Sequence, residues 1–134
     1  GAKKIIAIEK NRENVNVAKK NLLSLVNPEE EDIKIEVICQ DVFTWIRQSP
    51  KKSIYSKIIN FEKEKFDFIY LDPPYKKFLD KSLLELLFTS NIIKKSSMII
   101  YEHSKNNFIE NSDIWKIIDQ RKYGQTKISF LIKI

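Results

Sequence analysis

Apolar residues in this chain fall in short runs that alternate with helical spacings. Lys3-Lys4-Ile5-Ile6-Ala7-Ile8-Glu9 is an apolar run closed by an acid, the pattern of a strand buried in a parallel sheet. Asn11 can cap a helix, and Val15, Ala18, Leu22 and Leu25 recur at helical spacing until Asn27-Pro28 stops it. After a loop of four acids, Glu29 to Asp32, a second strand is expected over Ile33–Cys39, with Asp41 just past its end and a short helix from Val42 to Gln48. Ser49 to Lys65 is polar and basic and reads as a surface excursion with a short helical turn. A third strand, Phe66–Leu71, runs into Asp72-Pro73-Pro74-Tyr75, and Asp80 is placed to cap a helix carrying Leu83, Leu84 and Leu87. Ser97–Glu102 reads as the next strand. Ile114–Lys122 and Thr126–Ile134 read as two more, joined by a tight turn at Tyr123-Gly124-Gln125, with Ile128, Phe130, Ile132 and Ile134 expected to face the core.

Strands separated by helices imply an α/β fold with a mostly parallel sheet, and the closing hairpin implies an antiparallel edge. In such sheets ligands sit beyond the carboxyl ends of the strands. Glu9, Asp41 and Asp72 hold that place on three successive strands.

Composition narrows the chemistry. The 134 residues are expected to form one domain, and the formal charge of +6 is compatible with a polyanionic partner or with a lysine-rich surface. One cysteine, Cys39, and one histidine, His103, cannot build a disulfide or a His/Cys zinc cage. The only glycines are Gly1 and Gly124, so the chain contains no glycine-rich ligand loop. No stretch approaches a membrane span and the amino end lacks a signal-peptide plan, so a soluble, cytoplasmic protein is expected.

The candidate chemistry lies in Asp72-Pro73-Pro74-Tyr75. An amino group conjugated into a nucleobase is a poor nucleophile, so alkylating it requires acceptors that pull on its hydrogens and hold it in line with a donor. Asp72 supplies one acceptor and the Pro73 carbonyl a second. The two prolines restrict the backbone to extended conformations, and Tyr75 offers a face on which a base can stack. Asp-Pro-Pro is also ordinary turn chemistry. The buried-type strand before it and the helix after it favour the functional reading.

Placed in this order, the motifs resemble a class I S-adenosylmethionine-dependent methyltransferase of the Asp-Pro-Pro-Tyr amino-methylating group. More narrowly they resemble the bacterial RsmD family, which methylates the exocyclic N2 of a guanine in 16S, small-subunit ribosomal RNA. The resemblance runs from Gly1-Ala2-Lys3-Lys4 into Ile8-Glu9-Lys10-Asn11, through Asn21-Leu22, Asp41-Val42-Phe43, Phe66-Asp67 and Leu71–Tyr75. It continues over Tyr101-Glu102-His103-Ser104 and Tyr123-Gly124-Gln125-Thr126 to Phe130. It implies a Rossmann-like sheet and S-adenosylmethionine held by Glu9, Lys10, Asp41, Val42 and Asp72. Glu9 would take the ribose hydroxyls and Asp41 the adenine amino group, with Val42 beside the ring. Asp72, Pro73, Pro74 and Tyr75 would form the catalytic corner, and Tyr75, Lys76 and Lys77 would meet the substrate.

Plainer accounts stand beside several of these: a solvated strand-end acid for Glu9, a helix cap for Asp41, a solvated helix start for Lys76, Lys77 and Lys81. His103 is expected to be a structural hydrogen-bonder, Cys39 to be core, and Trp45 and Trp115 to be packing residues. The resemblance implies no metal, and the expected partner is ribosomal RNA or the small ribosomal subunit, met by a monomer. The family's first strand and glycine-rich loop would precede Gly1, so the chain is expected to be the carboxyl-terminal part of a longer enzyme, with two apolar strand edges, at Ile5 and Phe66, left without the central strand. Two alternatives use the same residues: a DNA adenine-N6 methyltransferase and a non-catalytic RNA-binding fragment.

Overall fold

The computed structural model describes residues 2–26, 33–48, 65–74 and 81–134. Expectations that fall on Asn27-Pro28, the acidic loop, the excursion from Ser49 to 64, Tyr75, Lys76, Lys77 and Asp80 lie outside the described residues. Two compact units emerge, Gly1–Arg47 and Gln48–Ile134.

In the first unit β1 (Lys4–Glu9) and β2 (Lys34–Cys39) pair in parallel, in register from Lys4↔Lys34 to Glu9↔Cys39. A parallel pair requires a crossover, and α1 (Arg12–Leu25) provides it. Asn11 caps α1 as expected: its Oδ1 accepts from the amides of Glu13 at 2.9 Å and Asn14 at 3.3 Å. The apolar stripe of α1 is only partly covered. Val15, Ala18 and Leu22 are half-buried, whereas Leu25, in the last turn, is 81% exposed and does not join it. The short α2 (Val42–Arg47) comes next, with Trp45 and Ile46 buried.

In the second unit the strand order is β3-β4-β6-β5. β3 (Phe66–Leu71) runs parallel to β4 (Ile93–Ser104), with α3 (Lys81–Thr89) between them in sequence. β6 (Thr126–Lys133) lies antiparallel to both β4 and β5 (Trp115–Tyr123). β4 runs beyond the expected Ser97–Glu102 at both ends, where Ile93 pairs with Phe66 and Ser104 with Thr126; near its start the Ser97 hydroxyl donates to the Phe66 carbonyl and accepts from the Lys94 amide. Gly124 sits at φ +59° in the β5–β6 turn, where a Cβ would meet nothing within 4 Å. The left-handed backbone, and not a lack of space, is what asks for glycine there.

One face of this sheet carries the core. The register pairs Ile99 with Leu131 and Tyr101 with Ser129, so these buried residues share a face with Leu71 and His103. α3 covers it with Leu83, Leu84, Leu87 and Phe88, and the Phe88 ring stacks on Trp115 at 5.3 Å. The expected inward face of the last strand is therefore corrected. Ser129 and Leu131 are fully buried, while Ile128, Phe130 and Ile132 are half-buried and Ile134 is 60% exposed. A serine is tolerated at the core because its hydroxyl is hydrogen-bonded to His103 Nε2 at 2.8 Å and accepts from Gln120 Nε2 at 2.9 Å, which removes the cost of a buried unsatisfied group.

Among the described residues β1 pairs only with β2 and β3 only with β4. No helix there is long and apolar enough to cross a membrane, and no three metal-ligating side chains cluster.

Candidate functional site

The candidate residues form two groups, each at the carboxyl ends of its own unit's parallel strands. In the first unit Glu9 is the last residue of β1, and its Oε1 accepts from the Asn11 amide at 2.7 Å. The Gln40 amide donates to the Glu9 carbonyl at 3.0 Å, so the chain leaving β2 is fastened beside the end of β1 before it reaches Asp41. Asp41 caps α2: its Oδ1 accepts from the Thr44 amide at 3.0 Å and the Thr44 hydroxyl at 3.2 Å. These bonds, led by the Thr44 amide and aided by the positive charge of Lys10, hold its carboxyl below the usual aspartate value. Val42 begins the helix and is half-buried.

Glu9, Lys10, Asp41 and Val42 thus lie together at one end of a parallel pair. Each carboxylate uses an oxygen to shape its own turn and has a second that can accept from a ligand. Their chemistry fits the hydroxyls and amino group of a nucleoside. Cys39, expected in the core, is exposed: it ends β2 at this same rim, and its Sγ meets the Lys10 carbonyl at 3.6 Å. An apolar strand that stops at the sheet edge carries its last side chain into solvent.

In the second unit Asp72 comes directly after β3 and is exposed, with Pro73 half-buried and Pro74 exposed. Leu71 pairs with Tyr101, so Asp72 lies beside Glu102 on the neighbouring parallel strand. Alternation puts Tyr70 and Asp72 on one side of β3, the side where the Tyr70 hydroxyl donates to Glu102 Oε2. Desolvation, and then the Glu102 charge, push the Asp72 pKa up from the usual value. Asp72 is therefore a stronger acceptor than a fully solvated aspartate.

In the sequence Glu102 stands out only as part of Tyr101-Glu102-His103-Ser104, with no role of its own. The available signal was its register: an acid near the end of one parallel strand, level with an acid ending the next. His103, in contrast, is 1% exposed, with Nδ1 at 2.9 Å from the Ser104 carbonyl and Nε2 on Ser129, and burial lowers its pKa. It is a structural hydrogen-bonder. Trp45 and Trp115 are buried packing residues, 6% and 2% exposed.

The profile of the family described as Conserved hypothetical protein 95 matches residues 1–132. The chain belongs to this family. It is 27% identical over 123 residues to ribosomal RNA small subunit methyltransferase D of Haemophilus influenzae, covering 92% of this chain and 56% of that protein. It is 30% identical over 81 residues to an uncharacterized methylase of Rickettsia prowazekii, covering 60% of this chain and 34% of that one. The chain thus spans between a third and just over half of these relatives' lengths. The structure of the ribosomal RNA methyltransferase AviRa from Streptomyces viridochromogenes superposes with a TM-score of 0.65 at 15% identity, covering 98% of this chain and 66% of that one. That likeness establishes the fold as Rossmann-like α/β, with parallel pairs β1-β2 and β3-β4 in the two units and an antiparallel β5-β6 hairpin.

Proposed function

We propose that this protein transfers a methyl group from S-adenosylmethionine to the exocyclic N2 of a guanine in small-subunit ribosomal RNA. The observation that carries the reading is the nearness of Asp72 to Glu102, each one residue past the last β3–β4 pair, Leu71↔Tyr101, beside the Pro73-Pro74 corner. Asp72 and the Pro73 carbonyl accept the hydrogens of the amino group, which exposes its lone pair, and the raised basicity of Asp72 suits it to take the proton that must leave. Glu102 supplies a second acceptor-only group, held in place by Tyr70. Guanine presents N1–H and the 2-amino group side by side, all donors, whereas adenine presents a ring nitrogen acceptor next to its amino group. Two carboxylates suit guanine and repel adenine, which favours this reading over DNA adenine methylation.

The cofactor, when bound, supplies a methyl group on a positively charged sulfur. Glu9 and Asp41 would hold its ribose and adenine, with Val42 against the ring and Lys10 alongside. These residues fit the nucleoside half. With Gly1 and Gly124 the only glycines, none of the 134 residues offers a glycine-rich cradle for the methionine half. Tyr75, Lys76 and Lys77, next along the chain from the corner, would stack on the base and meet phosphates. The family relationship to a small-subunit RNA methyltransferase supports ribosomal RNA or the small subunit as the partner, and the same reading has a monomer meet it in the cytoplasm.

The test is transfer of labelled methyl by the whole protein to small-subunit particles and, separately, to duplex DNA, with nucleoside analysis of each product. N2-methylguanosine from the particles is expected. N6-methyladenine from the DNA, or RNA binding with no transfer, would contradict the reading.

A further inference from the structure

A surface at the β5–β6 turn is not accounted for by the catalytic corner. The register carries a row of residues across one face: Asp72 beside Glu102, Glu102 opposite Ile128, Ile128 opposite Arg121. Three strand spacings separate its ends, about 14 Å. Beyond Arg121 the turn projects at the same end of the sheet, with Ser104 paired to Thr126 and the Lys105 amide donating to the Gln125 carbonyl at 2.9 Å.

Two aromatic side chains stand open there: Phe108 is 85% exposed and Tyr123 57%. Arg121 meets Tyr123 on the face of Asp72 and Glu102, and Lys127 meets Phe108 on the opposite face, which it shares with Lys122. Lys122 lies directly opposite Lys127, and the Lys127 ammonium sits 6.0 Å from the Phe108 ring centre. Like charges facing each other across a strand pair are unfavourable. Among the described residues no ion pair joins Lys105, Lys122 or Lys127 to an acid. Arg121 is already matched by Asp119 at 3.0 Å and lies over the Phe130 ring, so the unneutralised charge belongs to the lysines. Unpaired cations and open rings gathered on the two sides of one hairpin tip are the features of a surface that a single strand can wrap, where phosphates meet ammonium groups and bases stack without sequence preference.

We infer that the hairpin end formed by Lys105, Phe108, Lys122, Tyr123 and Lys127 binds single-stranded RNA flanking the base held at Asp72. This rests on the proposed methylation of RNA, and it places the partner beside that corner. A duplex would not present its bases to Phe108 and Tyr123, so the target guanine sits in an unpaired stretch.

The experiment measures binding of the whole protein to a uridine-rich single-stranded RNA, and to an RNA duplex, over a salt series. Lys122→Gln with Lys127→Gln is expected to weaken single-strand binding and to reduce the slope of log affinity against log salt by about 1.4, roughly 0.7 per lost phosphate contact. Phe108→Ala with Tyr123→Ala is expected to weaken it by about tenfold or more with the slope unchanged, because stacking is not ionic. Lys95→Gln, near the amino end of β4, serves as the control and is expected to change neither. Unaltered affinity and slope in the lysine variant overturn the inference. So does binding of polyglutamate that depends on these lysines while RNA binding does not, which would assign the surface to an acidic protein. Binding is read without methyl transfer, so absent transfer with the expected binding changes would overturn the catalytic reading and leave the surface standing.

Discussion

In the Gly1–Arg47 unit α1 has no buried residue and β1 is half-buried along its whole length, whereas in the Gln48–Ile134 unit Ile99 and Leu131 are wholly inaccessible and Phe88 and Trp115 nearly so. The difference comes from sheet size. Among the described residues of the two-stranded unit only Ile38, Trp45 and Ile46 are buried, while four strands capped by α3 enclose a larger core. The chemistry is divided in the same way. The acids suited to a nucleoside stand on the thinly packed unit, and the acid suited to an amino group stands on the well-packed one. A nucleoside can be held by several hydrogen bonds that adjust, but an in-line transfer depends on a group that does not move.

The largest expected effect that sharpens this contrast is Leu131→Ala, which should destabilise the fold by roughly 2–5 kcal/mol, the range for emptying a packed site. Leu22→Ala on the half-covered stripe of α1 should cost under about 1 kcal/mol, since it loses only part of a side chain's burial. Urea unfolding of each variant checks both, and equal losses would remove the distinction between the units.

Next is Glu102→Gln. The amide can donate to a ring nitrogen, so preference for guanine over 2-aminopurine at the target position should fall by about 10- to 100-fold, the worth of one well-placed base contact. The comparison uses methyl transfer to RNAs differing only at that base, with Tyr70→Phe as a second variant that loosens Glu102 without removing it. An unchanged ratio in Glu102→Gln would leave the acceptor pair without a reading role.

The smallest effect concerns pH and has opposite signs in the two units. Asp41 has a depressed folded pKa, so its stabilisation is present above the unfolded value of 3.8 and is lost as pH falls through the folded one. Asp72 has a raised folded pKa, so its contribution is fully present below 3.8 and is lost as pH rises through the folded value. Asp41→Ala should cost about 1 kcal/mol at neutral pH through the lost cap, and Asp72→Asn should leave stability unchanged or slightly raised. Thermal midpoints over an acid pH series decide this, and the same sign for both substitutions would contradict the assignment.

Element order was legible in the sequence because punctuation and pattern agreed: Asn11 before a helical repeat, Gly124 between two alternating runs, Asp72-Pro73-Pro74 after an aromatic strand. The inner face of β6 was not. Its alternation of Ile128, Phe130 and Ile132 with Ser129 and Leu131 points the wrong way, because a hydroxyl matched by His103 and Gln120 counts as core once the fold supplies those partners. Leu25 and Cys39 fit their apolar patterns yet end their elements in solvent, a property of where a helix or sheet stops. Glu102 was hidden for a related reason, since its meaning lies in cross-strand register, which one segment cannot state.

The most direct measurement of the central claim is single-turnover methyl transfer by Asp72→Asn in the whole protein, with the thermal midpoint and cofactor affinity recorded alongside. The account predicts a fall of about 100- to 1000-fold, the range for losing one group aimed at developing charge, with the fold intact and the cofactor still bound. Near-normal turnover would contradict it.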